Sequence, residues 1–304
     1  MLTAGRFRAL VAVTALSGYL QITLGGLVRV SGSGLGCPDW PTCYGKPYPP
    51  LTFHAIVEYS HRANGALFGL LVILTVLAGF WLYRGRRTPV TWLTVATLAT
   101  VVAEGLLGWQ VVANLLAPVL VLVHLAIALL ILGLMVAIYI LAGPAPTGPA
   151  DRGFGRLAAA AAPLTFLLLL TGSSVVATKA DTVCKSWPLC GTGFAFDFGG
   201  AAAFDMLHRL TVGVVGLFLA YVLVAGLRRH RRLAALTLLA LAVQVALGAL
   251  VAVTSEVAFL QGAHIVVGSA LWAGVVALAV LALRPAPAAV RDDARVTALE
   301  GRPA

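Results

Sequence analysis

Apolar residues in this chain come in runs of about twenty, separated by short gaps that hold most of the charge. A helix needs roughly 20 mainly apolar residues to cross about 30 Å of hydrocarbon. Eight segments meet that requirement: 9–28, 60–83, 90–112, 118–141, 157–176, 206–227, 233–254 and 260–283. Each is predicted to be a transmembrane helix. The first follows Arg6 and Arg8 as a secretory signal would, but it is long and no small-residue cleavage site follows it, so it reads as a retained helix.

Composition narrows the class. Of the 304 residues 60% are hydrophobic and 11% charged, against about 45–50% and 25% in soluble domains. A soluble enzyme and a disordered chain are both excluded. The net charge of +10 would suit nucleic acid, but the basic residues sit between the apolar runs. Fifteen of the 21 Lys and Arg residues fall on the side of the termini, counting Arg6, Arg8, Arg84, Arg86, Arg87, Arg152, Arg156, the Arg228–Arg232 cluster and the tail. The positive-inside rule therefore places both termini in the cytoplasm of a multi-pass cell-membrane protein, with lipid and not nucleic acid around it.

The chain also repeats itself. Cys37-Pro-Asp-Trp-Pro-Thr-Cys43 has a counterpart in Cys184-Lys-Ser-Trp-Pro-Leu-Cys190, and each second Cys lies 18 residues before a His-Arg pair, His61-Arg62 or His208-Arg209. That offset is 147; a second offset, of 140, relates Leu106-Leu107-Gly108 to Ala246-Leu247-Gly248 and His124 to His264. Two parallel copies of four helices follow from this. The expected fold is an all-α polytopic membrane protein, its eight transmembrane helices arranged as two pseudo-symmetric four-helix bundles. Residues 1–142 form the N-terminal half and 157–284 the C-terminal half. A Pro/Gly/Ala-rich cytoplasmic linker, 143–156, joins them, and 285–304 forms a disordered cytoplasmic tail.

Ionisable side chains are costly in a membrane, about 2.5–3.5 kcal/mol on insertion scales, so those present point to function. His61, His124, His208 and His264 all fall near the outer ends of apolar helices. The repeat pairs them as His61 with His124 and His208 with His264. Two imidazoles facing across a bundle suit haem iron held from both axial faces; a zinc site lacks a cluster of ligands at metal spacing. Asn64-Gly65-Ala66 and Gly262-Ala263 would give room for a porphyrin edge. Glu58 and its counterpart Asp205 lie three residues before a His, on the same helix face. Glu58 is a candidate acid or base, and both carboxylates also suit a helix N-terminus. Arg62 and Arg209 are candidates for haem propionates or for snorkelling to the interface. Glu104, with Gln244 as counterpart, reads as an interhelical hydrogen bond or part of a proton path. His230 belongs to a basic turn, and His54 has no counterpart. The Cys pairs suit a local disulfide in each outer loop, either a staple or a redox pair; a four-thiolate zinc site is the remaining option.

Taken together, these motifs resemble the haem A synthases of bacteria. The matching residues are Gly25-Gly26-Leu27-Val28-Arg29, Ser31-Gly32-Ser33-Gly34-Leu35-Gly36-Cys37-Pro38-Asp39-Trp40-Pro41 and Glu58-Tyr59-Ser60-His61-Arg62. The His124 helix, His208-Arg209 and Gln261-Gly262-Ala263-His264 complete the set, and Thr171-Gly172-Ser173-Ser174 is a looser match. The resemblance runs from the first helix to about Leu283. It implies oxidation of the C8 methyl of haem O to a formyl group, by successive hydroxylations, to give haem A for terminal oxidases. It further implies that His208 and His264 ligate a haem b cofactor, that His61 and His124 hold the substrate haem O, and that Glu58 takes part in the chemistry. Disulfides Cys37–Cys43 and Cys184–Cys190 place the chain in the Cys-containing class, the first pair tied to activity and the second more structural. Haem O synthase is an expected donor and a homo-oligomer an expected assembly. Two rivals stand beside this reading. A dihaem cytochrome that only passes electrons would use the same His pairs, and a membrane thiol–disulfide oxidoreductase would use only the cysteines.

Overall fold

A computed structural model describes residues 2–83, 88–144, 151–190, 196–254 and 257–284. Within them the chain forms eight long α-helices and a short 3-10 turn at Ala180–Thr182. The helices are α1 (Ala4–Val30), α2 (Phe53–Leu82), α3 (Pro89–Ala113), α4 (Pro118–Leu141), α5 (Arg152–Ala177), α6 (Ala202–Gly226), α7 (Arg231–Thr254) and α8 (Ala258–Leu283). All eight are long and apolar enough to cross a membrane. This is an all-helical, multi-pass membrane protein.

Helix starts follow local chemistry. Thr3 caps α1 by accepting from the Arg6 N–H, and Thr88 caps α3 by accepting from Thr91. Pro89 and Pro118 occupy the first turns of α3 and α4, where a missing N–H costs nothing. Asp151 accepts from the N–H groups of Gly153 and Phe154. Helix α5 therefore begins at Arg152, and residues 152–156 of the expected linker are helical. The rest of that linker from 145 to 150, Arg84, Arg86 and Arg87 and the tail from 285 to 304 lie outside the described residues.

The largest difference from the hydropathy reading is α2, which starts seven residues before the expected 60. His54 and Glu58 interrupt the apolar run there, yet Ala55, Val57 and Glu58 are buried because the loop before the helix folds over its first two turns.

Each group of four helices closes on itself: α1 packs on α2, α2 on α3, α3 on α4 and α4 on α1, and α5 to α8 pack in the same cyclic order. The two groups meet where α8 lies against α1 and α4, and where α4 touches α5. The Trp272 indole of α8 donates to the Leu129 carbonyl of α4 at 2.7 Å, and its ring lies where a Cβ on Gly133 would be 3.0 Å away. Tyr19 of α1 donates to the Val266 carbonyl at 2.9 Å. Arg284, just beyond α8, caps the end of α4 through the carbonyls of Ile140, Gly143 and Pro144. Interhelical hydrogen bonds in membranes average about 0.6 kcal/mol, so close packing of Trp272, Ile22, Leu129 and Leu132 carries most of the seam. Helices α3 and α7 are the least enclosed, and their apolar surfaces face outward.

Candidate functional site

At one end of the bundle each cysteine loop seats on the first turns of the helix that follows it. Cys37 and Cys43 lie at disulfide-bonding distance, 1.97 Å between sulfurs, and so do Cys184 and Cys190, at 1.99 Å. A zinc site would need both bonds reduced. Cys37 and Cys43 pack on Ala55 and Tyr59, and Cys184 and Cys190 on Ala202 and Met206; the packing partners differ by the same offset of 147 as the cysteines. Gly36 makes the seating possible, because a Cβ there would sit 2.3 Å from the carbonyl oxygen of His54. His54, which has no repeat counterpart, bonds to the Ser33 hydroxyl at 2.9 Å and pins the loop.

Arg62 and Arg209 clamp these loops. Arg62 donates to the carbonyls of Asp39, Thr42 and Cys37 and pairs with Glu58. Arg209 donates to those of Ser186, Pro188 and Cys184 and pairs with Asp205 at 2.6 Å. Nη1 and Nη2 of Arg62 are thus committed, and a propionate would reach Arg62 through Nε or by displacing a loop carbonyl. Glu58, 4% exposed at its side chain, also accepts from the Cys37 N–H at 2.8 Å. Asp39 holds the turn that follows: the Thr42 hydroxyl, then the N–H groups of Gly45 and Tyr44, donate to its carboxylate and lower its pKa from 3.8 to about 2.

Below the loops stand the four histidines. His61 is the ninth residue of α2, and His124, His208 and His264 are each the seventh of α4, α6 and α8. At 1.5 Å per residue they lie at similar depth. His61 and His124 are close enough to interact electrostatically, as are His208 and His264. Every ring rests against a glycine. A Cβ on Gly25 would be 3.1 Å from His61 Cε1, one on Gly108 3.4 Å from His124 Cε1, one on Gly172 3.0 Å from His208 Cε1 and one on Gly248 3.1 Å from His264 Cε1. Gly65 and Gly262, expected to make this room, instead abut Gln21 and Val30. The sequence carried the signal, since Gly25 and Gly172 differ by 147 and Gly108 and Gly248 by 140.

Each imidazole has one polar neighbour. Gln21 Nε2 is 3.3 Å from His61 Nε2, and Gln244 Nε2 is 3.2 Å from His264 Nε2. Thr171 Oγ1 is 3.0 Å from His208 Nδ1, and Glu104 Oε1 is 3.1 Å from His124 Nδ1. Thr171 gives its own hydrogen to the Leu168 carbonyl, so it accepts from His208 Nδ1–H and leaves Nε2 with its lone pair. Nδ1 of His61, of His124 and of His264 is buried without a hydrogen bond of full geometry among the described residues, and only His124 has a carboxyl oxygen within ion-pair distance of that nitrogen, Glu104 Oε1. Paired rings, cleared edges and uncommitted nitrogens fit a haem-type group in each half.

The two sets of surroundings differ. In the first half Ser17 donates to Asn64 at 3.4 Å, Asn64 donates to Gln21 at 2.8 Å, and Gln21 meets His61. Deeper in the same α1–α2 interface, the hydroxyls of Thr14 and Thr75 meet at 3.0 Å. The residues 147 positions on are Leu164, Thr211, Leu168, Ala161 and Val222. Among the described residues no such side-chain track leads to His208, whose polar neighbour is Thr171 alone.

The sequence matches the COX15-CtaA family, described as cytochrome oxidase assembly protein, over residues 8–56 and 51–276. The chain belongs to that family. It is similar to the Heme A synthase of Geobacillus kaustophilus, 28% identical over 301 residues that cover 92% of each chain. To the Heme A synthase of Symbiobacterium thermophilum it is 31% identical over 254 residues, which cover 76% of this chain and 80% of the relative. A third Heme A synthase, from Geobacillus thermodenitrificans, is 28% identical over 300 residues, 92% of this chain and 94% of its own. All four histidines and both cysteine loops fall inside the matched range.

Proposed function

We propose that this chain is a haem A synthase, which oxidises the C8 methyl of haem O to a formyl group. The N-terminal half, 1–142, takes haem O between His61 and His124, and the C-terminal half, 157–284, holds haem b between His208 and His264. The observation that carries this division is the one-sided polar track that ends on His61. A permanent electron carrier needs only a rigid apolar cradle, which α5 and α6 supply through Leu164, Leu168 and Val222. A site that oxidises a methyl group has protons and water to handle, and Ser17, Asn64 and Gln21 form a hydrogen-bonded path from that site into the bundle. By the same argument a passive dihaem cytochrome would leave the asymmetry without a use.

When bound, haem b supplies a one-electron redox centre. The other work falls to the side chains. His61 and His124 fix the plane of the substrate, and Gly25 and Gly108 let its edge approach the helices. Glu58 stands at the outer rim, about one and a half turns into α2 with the loop folded over it, where a carboxyl group can exchange a proton as the methyl passes to hydroxymethyl and then to a geminal diol that loses water. Arg62 and Arg209 hold the loops closed over the two sites and keep bulk water out, and any propionate contact uses their remaining N–H. Both termini are cytoplasmic and the cysteine loops lie on the outer face. There Cys37–Cys43 is tied to activity and Cys184–Cys190 to structure. Haem O synthase is a fitting donor, because haem O is too apolar to diffuse freely.

Alanine at His61 and at His208 separates the roles. His61→Ala is expected to abolish product while the purified protein keeps its haem b, whereas His208→Ala loses haem b itself. Pigment extraction from each purified variant reads this directly. Loss of the same pigment from both variants would overturn the division between halves.

A further inference from the structure

One pair of residues makes the two His sites chemically unequal. Glu104 on α3 and Gln244 on α7 each stand 20 residues before a fourth-helix histidine, and each meets it: Glu104 Oε1 is 3.1 Å from His124 Nδ1, and Gln244 Nε2 is 3.2 Å from His264 Nε2. Gly108 and Gly248, one turn further along, back the same two rings. Position along the chain is therefore matched, while the functional group and the ring nitrogen it meets both differ, a carboxyl at Nδ1 in one half and an amide at Nε2 in the other. The carboxyl is not spent elsewhere. Its second oxygen, Oε2, is buried and has no hydrogen-bond partner among the described residues. No Lys or Arg shares an ion pair with it there. A half-buried glutamate in a membrane helix whose polar partner is one imidazole calls for a reason beyond helix packing.

A histidine that binds iron through one nitrogen donates its other N–H, and the acceptor fixes the tautomer, orients the ring and sets how strongly it donates to the metal. Carboxyl oxygens are the stronger acceptors, and amides the weaker. We propose that Glu104 is a positioning residue that holds His124 Nδ1–H and makes it the more strongly donating axial ligand, so that two like His pairs hold their irons at different potentials. The proposal rests on the haem-binding reading above. A stronger imidazole donor favours the oxidised iron, so the first-half transition lies at the lower potential. Gln244, with an amide nitrogen toward His264, leaves the second-half iron at the higher one.

Potentiometric titration of the purified full-length protein, followed through the reduced haem bands, tests this with a reciprocal pair. Glu104→Gln is expected to move the lower transition upward and leave the upper one in place, with haem content per chain unchanged and turnover reduced about 10- to 100-fold. Gln244→Glu is expected to move the upper transition downward and leave the lower one in place. Because Gln fills the same space and still bonds across helices, a purely structural Glu104 predicts no change in either potential. Unmoved potentials in both variants, or full turnover in Glu104→Gln, would overturn the proposal. A wild-type protein whose first-half histidines bind no haem would overturn the site reading instead, a result distinguishable from the first because it appears before any substitution is made.

Discussion

Gly25→Val removes haem O from the first half and leaves haem b in place, and Gly172→Val does the reverse. The reason is geometric. At Gly25 a Cβ would already be 3.1 Å from His61 Cε1, and at Gly172 it would be 3.0 Å from His208 Cε1, tighter than ordinary contact, so a branched side chain must displace the ring. Overpacking of this kind costs about 1–3 kcal/mol, roughly 5- to 150-fold in site occupancy. The readout is the haem released from each purified variant, with helical content as the control for folding. Equal loss of both pigments from either variant would mean that the glycines serve the bundle and not their own rings.

Substitution at Glu58 is expected to have an effect as large, but without loss of haem. Glu58→Gln keeps the acceptor for the Cys37 N–H yet turns an amide toward Arg62, whose pairing with the carboxylate is nearly enclosed, at 11% and 4% side-chain exposure. Removing one partner of a buried pair costs about 3–5 kcal/mol, and loss of a positioned acid or base lowers turnover by about 10²–10⁴-fold. Asp205→Asn breaks the corresponding pair with Arg209 in the other half, and its expected effect is on the stability of the second loop and not on turnover. Product formed per bound substrate separates the two. If folded Glu58→Gln converts haem O at the wild-type rate, Glu58 is an anchor for the loop and nothing more.

Much of this was legible in the sequence because a membrane forces apolar length and makes every intramembrane ionisable group conspicuous. The eight runs each overlie one helix, and the offsets of 147 and 140 picked out the four histidines. The offset of 147 also fits contacts that no motif states, such as Arg62 on Asp39 and Arg209 on Ser186. What escaped was decided between helices. The start of α2 was missed because Ala55 and Val57 are buried by a loop folded back on them, which hydropathy along the chain does not register. Glu104 reads from the sequence as an interhelical partner, but that it meets His124, and that Gln21, Thr171 and Gln244 meet the other rings, depends on helix rotation, which the sequence leaves open. Glycine matches at the repeat offsets were an available clue to which faces turn inward, since a glycine in a helix costs about 1 kcal/mol relative to alanine, but matches such as Gly79 with Gly226 back no histidine ring.

The most direct test is made on membranes that contain haem O and no haem A, with and without this chain. Pigments are extracted, separated by reverse-phase chromatography and identified by mass. Haem A or its hydroxymethyl precursor is expected only where the chain is present. Haem O left unchanged beside a chain with haem bound in both halves would contradict the synthase and leave an electron-transfer cytochrome in its place.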